Sequence, residues 1–347
     1  MSLPTQQENR PEGADAPAPV TPDEEFVARA EQYRREIFAH CYRMSGSLHD
    51  AEDLVQETML RAWRAYGSFE ERASTRTWLH RIATNVCLTA VEGRKRRPLP
   101  TGLGQPASDP TVKGHQDHEV PWLTPFPDAM VSQDTPEDVA ERLEGVRLAF
   151  VAALQHLPPR QRAALVLRDV LQWKAAEVAE AVGTTTAAVN SALQRARETV
   201  RKAELDRDRK GGTLSPEQEQ LLQRYVKAFW EKDVDALAEM FTDDAVWEMP
   251  PFPGWYQGPE NIARLIATQC PGQVHDMPML PTRANGQPAF GLYMRQPDGS
   301  FTPFHLQVLD LDGGRVRHVG AFFDESLFAM CGLPERLGPD HPAVAGR

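Results

Sequence analysis

The sequence predicts a multidomain chain: two all-α modules, the second a helix-turn-helix, followed by an α+β domain. Three observations predict it. The 347 residues exceed one ordinary domain, for which about 150 residues is a soft guide. Apolar residues recur at three- and four-residue steps through the first two blocks and then alternate in short runs. The net charge of −11 is also uneven: residues 1–25 carry −5, 26–97 carry +4, 98–136 carry −4, 137–212 carry +2 and 213–347 carry −8. Two basic blocks among three acidic ones point to distinct partners. With 41% hydrophobic and 25% charged residues, the chain is neither wholly disordered nor a membrane protein. No apolar run approaches the roughly 18 residues of a membrane span, and the polar, proline-rich start is no signal peptide. The expected location is the cytoplasm, with no membrane partner. Cys41, Cys87, Cys270 and Cys331 lie far apart and read as buried free thiols rather than a metal or disulfide framework.

Residues 1–25 read as a disordered acidic tail. From 26 to 97 the spacing of Phe26, Ala30, Tyr33, Ile37 and Cys41, then Leu54, Thr58 and Ala62, then Leu79, Ile82 and Val86, predicts helices, closed by the basic run Arg94 to Arg97. Residues 98–136 hold eight prolines and no sustained period. That composition is expected to bury too little apolar surface to offset ordering entropy, giving an acidic linker. Its 39 residues reach about 34 Å as a coil and about 120 Å fully extended.

Residues 137–205 are helical again. Ala175, Val178, Ala179 and Val182 form one buried stripe; Gly183 supplies a tight turn and Thr185 an N-cap. A second helix buries Val189, Leu193, Ala196 and Val200 and leaves Asn190, Ser191, Gln194, Arg195 and Arg197 outward. In a helix-turn-helix the second helix enters the major groove, where Arg reads guanine and Asn reads adenine. Arg201 and Lys202, further along, suit phosphates. Lys210 to Pro216 marks a break. Residues 213–335 then open with an amphipathic helix (Leu222, Tyr225, Val226, Phe229). Strands are expected at Ala245 to Met249, Ala289 to Met294, Phe304 to Leu311 and Val316 to Phe323. A short tail, 336–347, ends the chain.

In this order the motifs resemble a sigma factor of the sigma-70 class, of the extracytoplasmic-function type. Asp50 to Trp63 resembles the sigma-2 helix that grips the polymerase, and Thr77 to Asn85 with the run to Arg97 resembles the part that melts and reads the −10 element. Leu157-Pro-Pro-Arg-Gln-Arg162 with the helix-turn-helix resembles sigma-4, which reads the −35 element. The resemblance implies two partners, promoter DNA and RNA polymerase core through its β′ clamp region and β flap. The implied polymerase contacts are Asp50, Asp53, Leu54, Gln56, Glu57 and Trp63. The implied −10 contacts are Arg76, His80, Asn85, Arg94, Arg96 and Arg97. For the −35 element they are Thr185, Thr186, Asn190, Ser191, Arg195 and Arg197. Trp78 and Ile82 read as core. A polymerase-independent helix-turn-helix regulator is the alternative that the Asp50 to Trp63 motif and the basic run argue against.

Residues 213–335 resemble a SnoaL-like, nuclear-transport-factor-2-like cone: a curved sheet wrapped by helices. The matching pieces are the leading helix, Phe241 to Met249, Gly258 to Ile262 and the last strands. In related sigma factors this domain modulates activity within the chain. Trp247, Trp255, Tyr256, His305 and His318 are expected to line a pocket for a small-molecule ligand, unless the domain serves an intramolecular contact. Some cone domains are enzymes, the third reading. The sequence shows no paired carboxylates, nucleophile elbow or metal spacing, so no enzyme, cofactor or metal is expected.

Overall fold

The structure, a computed structural model, describes residues 22–70, 73–130, 145–204 and 214–345. The acidic tail up to residue 21, linker residues 131–136, the glycine break at 211–212 and the last two residues lie outside the described residues.

The first helical module is built from α1 (Pro22–Glu31), α2 (Arg34–Ser45), α3 (Leu48–Ala65) and α4 (Thr75–Val91). The apolar stripe from Phe26 to Cys41 is shared by two helices, because the chain turns at Gln32–Tyr33. Ser47 caps α3 by accepting from the Asp50 amide at 3.2 Å, and Ser74 caps α4 by accepting from the Thr77 amide at 3.1 Å. Gly46, at φ +73°, joins α2 to α3 where any Cβ would meet Leu123 at 2.9 Å. The second module comprises α5 (Leu148–Gln155), α6 (Pro159–Leu165), which runs on into a π-helical turn at 166–170, α7 (Ala175–Val182) and α8 (Thr186–Glu204).

The two modules are in contact and share one apolar core. Arg162 of α6 is buried and donates to the carbonyls of Met44 and Leu157 and to Gln155 Oε1, neutralising the carbonyl end of α2. Burial lowers its guanidinium to about 10, which leaves it charged at neutral pH. Arg81 of α4 meets Glu180 of α7 at 2.9 Å.

The third unit holds α9 (Pro216–Glu231), α10 (Val234–Met240), α11 (Pro259–Gln269), α12 (Ser326–Met330) and a terminal turn, α13 (Pro342–Ala345). Its strands are β1 (Phe241–Glu248), β2 (Trp255–Gln257), β3 (Met279–Ala284), β4 (Gln287–Arg295), β5 (Phe301–Asp312) and β6 (Arg315–Phe322). They form one sheet in the order β2-β1-β6-β5-β4-β3. β1 and β6 run parallel and the other neighbours antiparallel. Successive side chains on a strand point to opposite faces. One face, with Trp247, Leu292, Leu309 and Val319, packs with α9 to α11 in a core around Tyr225 and Phe229. The other face, with Ala289, Leu306, Val308 and Phe322, joins the core of the helical modules. Gly320 makes this possible: a Cβ there would press on Phe322 at 2.9 Å and on Leu148 of α5 at 3.4 Å.

The linker departs most from expectation. Over its described part, 98–130, it lies as an extended strap along both units and buries Leu99, Leu123 and Phe126. The composition argument underestimated it because it counted only what the segment offers itself. The apolar partners come from α2 and the sheet, and polar backbone groups along the strap are paired with both units. Thr124 O accepts from Tyr42 Oη at 2.7 Å, the Thr124 amide donates to Gly46 O at 3.2 Å, and the Ser108 amide donates to Trp255 O at 2.7 Å.

The strap and both units meet at Asn285, in the β3–β4 turn. Asn285 is fully buried at φ +56°, a left-handed conformation that Asn tolerates, and with Gly286 it makes the turn chemistry of a two-residue hairpin. Its Oδ1 accepts from the Phe126 amide at 2.8 Å and its own amide donates to Phe126 O at 2.7 Å. Its Nδ2 donates to Tyr42 Oη at 3.2 Å and to Val146 O. Beside it, Arg283 pairs with Asp128 at 3.2 Å and Arg147 with Asp310 at 2.8 Å. Replacing Asn285 by Ala leaves the buried Phe126 amide and Val146 carbonyl unpaired. The expected cost is about 2–4 kcal/mol, with faster hydrogen exchange in peptides containing Phe126 and Val146. Unchanged protection in both would show that the hairpin tip does not hold this junction.

Candidate functional site

The outward face of α8 presents the polar and basic side chains expected of a recognition helix. Thr185 caps the helix, its Oγ1 accepting from the Ala188 amide at 3.2 Å, and Gly183 at φ +68° turns the chain out of α7. Val189, Leu193, Ala196 and Val200 are buried, whereas Thr185, Thr186, Asn190, Ser191, Gln194, Arg195 and Arg197 are exposed. Arg197 is engaged within the chain, donating to both carboxylate oxygens of Asp169 at 2.9 and 2.6 Å. That leaves Asn190, Ser191, Gln194 and Arg195 as the contiguous group facing solvent at the N-terminal half of the helix, the half that meets base edges.

On α4, Asn85 is exposed and Trp78 and Ile82 pack on the core. His80 is a correction. It is 1% exposed, its ring packs edge-on to His40, and its Nε2 lies 3.4 Å from Glu36 Oε1. It supports the helix from beneath and cannot reach a base. Arg76 pairs with the same carboxylate, its Nε 2.8 Å from Glu36 Oε1. Burial opposes the charge on Glu36, but His80 and Arg76 outweigh that effect and hold the carboxyl well below the usual carboxylate range. Burial also lowers the His80 pKa, so the imidazole is neutral at pH 7.

The basic run is similarly occupied. Asp50 takes Arg94 at 3.1 Å and Arg97 at 2.7 Å, while Arg96 donates to Gly102 O and to His156 Nδ1. Arg94 and Arg96 remain exposed; Arg97 is half-buried. Asp50 is thus an internal anchor for the run rather than a free carboxylate on the α3 surface. Leu54, 7% exposed, belongs to the module's core, a second correction among the implied polymerase contacts. The exposed side of α3 includes Asp53, Gln56, Leu60 and Trp63 beside Arg61 and Arg64, with Glu57 half-buried and bonded to Arg61 at 2.6 Å. Leu60 is 39% and Trp63 47% exposed. Leu60 was not foreseen, although its position one turn from Gln56 and Trp63 places it on their stripe.

Of the five residues expected around the pocket, two line it. Trp247 and His305 face a cavity of about 570 Å³ between the sheet and α11, with Phe229, Phe252 and Phe323 in its walls. Trp255 faces the strap and His318 the sheet's far side, whereas Tyr256 pairs with Trp247 and packs in the inner-face core outside the cavity lining. Trp255 Nε1 donates to Gln105 O at 2.9 Å. Tyr256 is buried, and burial with the nearby Asp109 carboxylate raises its phenol pKa. His318 Nε2 bonds Glu248 Oε1 at 2.6 Å on the outer face, where Glu248 Oε2 also accepts from the Thr101 amide at 2.7 Å. Burial works against the Glu248 charge, but His318 and Thr101 prevail and lower its pKa. Among the described residues no group of His, Cys, Asp and Glu has a metal-binding arrangement, and no helix is long and apolar enough to cross a membrane.

Residues 30–97 match the Sigma-70 region 2 family, residues 147–200 match Sigma-70 region 4, and residues 222–317 match the SnoaL-like domain family. The chain is 58% identical over 317 residues to the ECF RNA polymerase sigma factor SigG of Mycobacterium tuberculosis, covering 90% of this chain and 85% of that protein. The chain belongs to the ECF RNA polymerase sigma factors. This sigma factor is also 29% identical over 177 residues to SigW of Bacillus subtilis, covering 51% of this chain and 87% of SigW. The crystal structure of the Mycobacterium tuberculosis extracytoplasmic function sigma factor SigJ has a TM-score of 0.58 at 23% identity. It covers 89% of this chain and 99% of SigJ, which shows a shared fold.

As a sigma factor the chain acts with RNA polymerase and promoter DNA in promoter recognition and transcription initiation. Its buried histidines make that structure acid-sensitive. Burial lowers His40 and His80 and pushes His305 down to about 3. Below pH about 6.5 the unfolded chain takes up protons that these rings refuse in the folded state. Stability therefore falls with acid, by up to about 1.4 kcal/mol per pH unit for each ring. The melting temperature of this sigma factor is expected to be lower at pH 5 than at pH 7.5, with a shallower slope in His305→Gln. A flat profile over that interval would contradict the buried neutral state of these rings.

Proposed function

We propose that α8 reads the −35 element through Asn190, Ser191 and Arg195, that α4 and the basic run engage the −10 element through Asn85, Arg94 and Arg96, and that α3 docks on the β′ clamp region of the polymerase through Asp53, Gln56, Leu60 and Trp63, with sigma-4 meeting the β flap. A face pairing carboxylate and amide groups with two exposed apolar anchors suits a basic, partly apolar groove. The C-terminal domain acts without turnover, as a regulator of its own chain.

The observation that carries the regulatory reading is the contact between the helical modules. Two DNA elements about one and a half turns apart are separated by roughly 50 Å, yet Arg81 of α4 touches Glu180 of α7 at 2.9 Å. A sigma factor folded this way cannot occupy both elements at once. The arrangement described here is the closed state, and the C-terminal sheet, the strap and Asn285 hold it shut. Core polymerase opens it by seating sigma-2 and sigma-4 further apart than the closed chain allows.

Arg195→Ala is expected to weaken promoter binding by about 1–3 kcal/mol and to relax discrimination at one −35 position; equal losses across all promoter variants would reduce Arg195 to a phosphate contact. Fluorescent labels at the exposed Thr89 and Ala187 are expected to move apart when core polymerase is added, and Asn285→Ala is expected to raise run-off transcription at limiting polymerase. An unchanged label distance in an initiation-competent complex would refute the closed-state reading.

A further inference from the structure

The fold treats the two arginines on the outward face of α8 differently. Arg195 has no side-chain partner among the described residues, whereas Arg197 gives Nε and Nη2 to the two carboxylate oxygens of Asp169, at 2.9 and 2.6 Å. Asp169 lies 28 residues earlier, on the π-helical turn at 166–170. That turn is a firm support. Val166 and Leu167 are buried, the Leu171 amide donates to Val166 O at 3.0 Å, and Gln172 Nε2 donates to Asp169 O at 2.8 Å. Single π-turns of this kind are frequent at functional sites.

An ion pair this accessible, with side-chain exposures of 56% for Arg197 and 32% for Asp169, adds little stability. What two parallel hydrogen bonds do fix is the plane of the guanidinium. The carboxylate occupies the Nε–Nη2 edge of the fork. The opposite edge, Nη1 with the second Nη2 hydrogen, has no partner among the described residues. Arg197 also lines a cavity of about 410 Å³ on the surface of α8, together with Asn190, Gln194 and Arg201. Place along the helix decides what that edge meets. Seven residues at 1.5 Å each put Arg197 about 10 Å beyond Asn190, comparable with the roughly 12 Å width of the major groove. With the N-terminal half of α8 over base edges, Arg197 stands at the rim of the groove, where the available acceptors are phosphate oxygens.

We propose that Asp169 is a positioning residue for −35 recognition: it presents the outer edge of Arg197, in a preset plane, to one backbone phosphate beside the −35 bases, and so sets the angle at which α8 enters the groove. The assignment rests on the reading of α8 as the helix that meets the −35 element. A planar fork matches two phosphate oxygens where an ammonium offers only a point charge. Holding that fork before DNA arrives removes rotamer entropy that binding would otherwise cost. Asp169 thus strengthens DNA binding although its charge has the same sign as the phosphate.

The test uses holoenzyme assembled from core polymerase and the full chain, on a promoter from which it initiates, with single −35 phosphates replaced in turn by uncharged methylphosphonates. One replacement is expected to weaken wild-type binding about tenfold, the scale of a lost charged hydrogen bond. Arg197→Ala is expected to cost a similar factor and to make that replacement silent. Arg197→Lys keeps the charge without the fork, so it is expected to retain the salt dependence while losing affinity. Asp169→Asn is expected to weaken binding about threefold when Arg197 is present, to blunt the response at the same phosphate, and to cause no loss in the Arg197→Ala background. Equal losses in both backgrounds, or gains in both, overturn the positioning role. A gain only when Arg197 is present makes the carboxylate a mask and overturns it as well. If Arg197→Ala leaves the methylphosphonate profile intact and instead relaxes choice at one −35 base pair, the phosphate assignment is overturned. If Arg195→Ala and every methylphosphonate in the element leave wild-type binding unchanged, the recognition-helix reading has failed and the role of Asp169 falls with it.

Discussion

Burial of the sheet's outer face is the interaction on which the rest of the structure depends. A sheet with apolar residues on both faces must be covered twice. Here α9 to α11 cover the inner face, and the outer face meets α5, the strap, α12 and the core of the DNA-binding modules. Because Leu306, Val308 and Phe322 share one apolar cluster with Phe38, Tyr42, Phe126 and Leu148, the three units are not independent beads on a tether. Whatever separates sigma-2 from sigma-4 must also strip that face or carry it along. This is a stronger restraint than the exposed Arg81–Glu180 pair, since surface ion pairs contribute little.

Polar groups make the same junction specific. Apolar burial alone tolerates sliding, whereas Asn285 accepts and donates in fixed directions to the strap, α2 and the start of sigma-4. Arg147 with Asp310 and Arg283 with Asp128 add charge pairs across the same border, with both carboxylates largely shielded from solvent. Buried hydrogen-bonded groups of this kind select one arrangement at the cost of being unforgiving if one partner is lost.

Much of this was legible in the chain itself. The helix-turn-helix could be read to its cap because Thr185, Gly183 and the Val189–Val200 stripe report local geometry, which does not depend on distant partners. The pocket was only half legible for a register reason. His305 and His318 both sit on strands, but Asp310 pairs with His318 across β5 and β6, and strand alternation sends His305 to the cavity and His318 to the opposite face. His80 was misread because a polar residue near arginines looks alike from sequence whether it faces DNA or a buried Glu36. β3 was missed because Pro281 argues against a strand, and an edge position is where a proline is tolerated. The Asn285-Gly286 turn was the available signal for the hairpin, but nothing local said what its tip would touch.

The same shared cluster constrains how such a chain could be shortened. Removing everything after sigma-4 would uncover Leu148 and Phe126, together with the side of α2 that carries Phe38, as a continuous greasy surface inviting self-association. A leaner relative would have to recolour that surface with polar side chains before, or together with, losing the sheet. The appended domain is therefore anchored by solubility as well as by any regulatory advantage, and its loss in descent would require coordinated change on the surface it now covers.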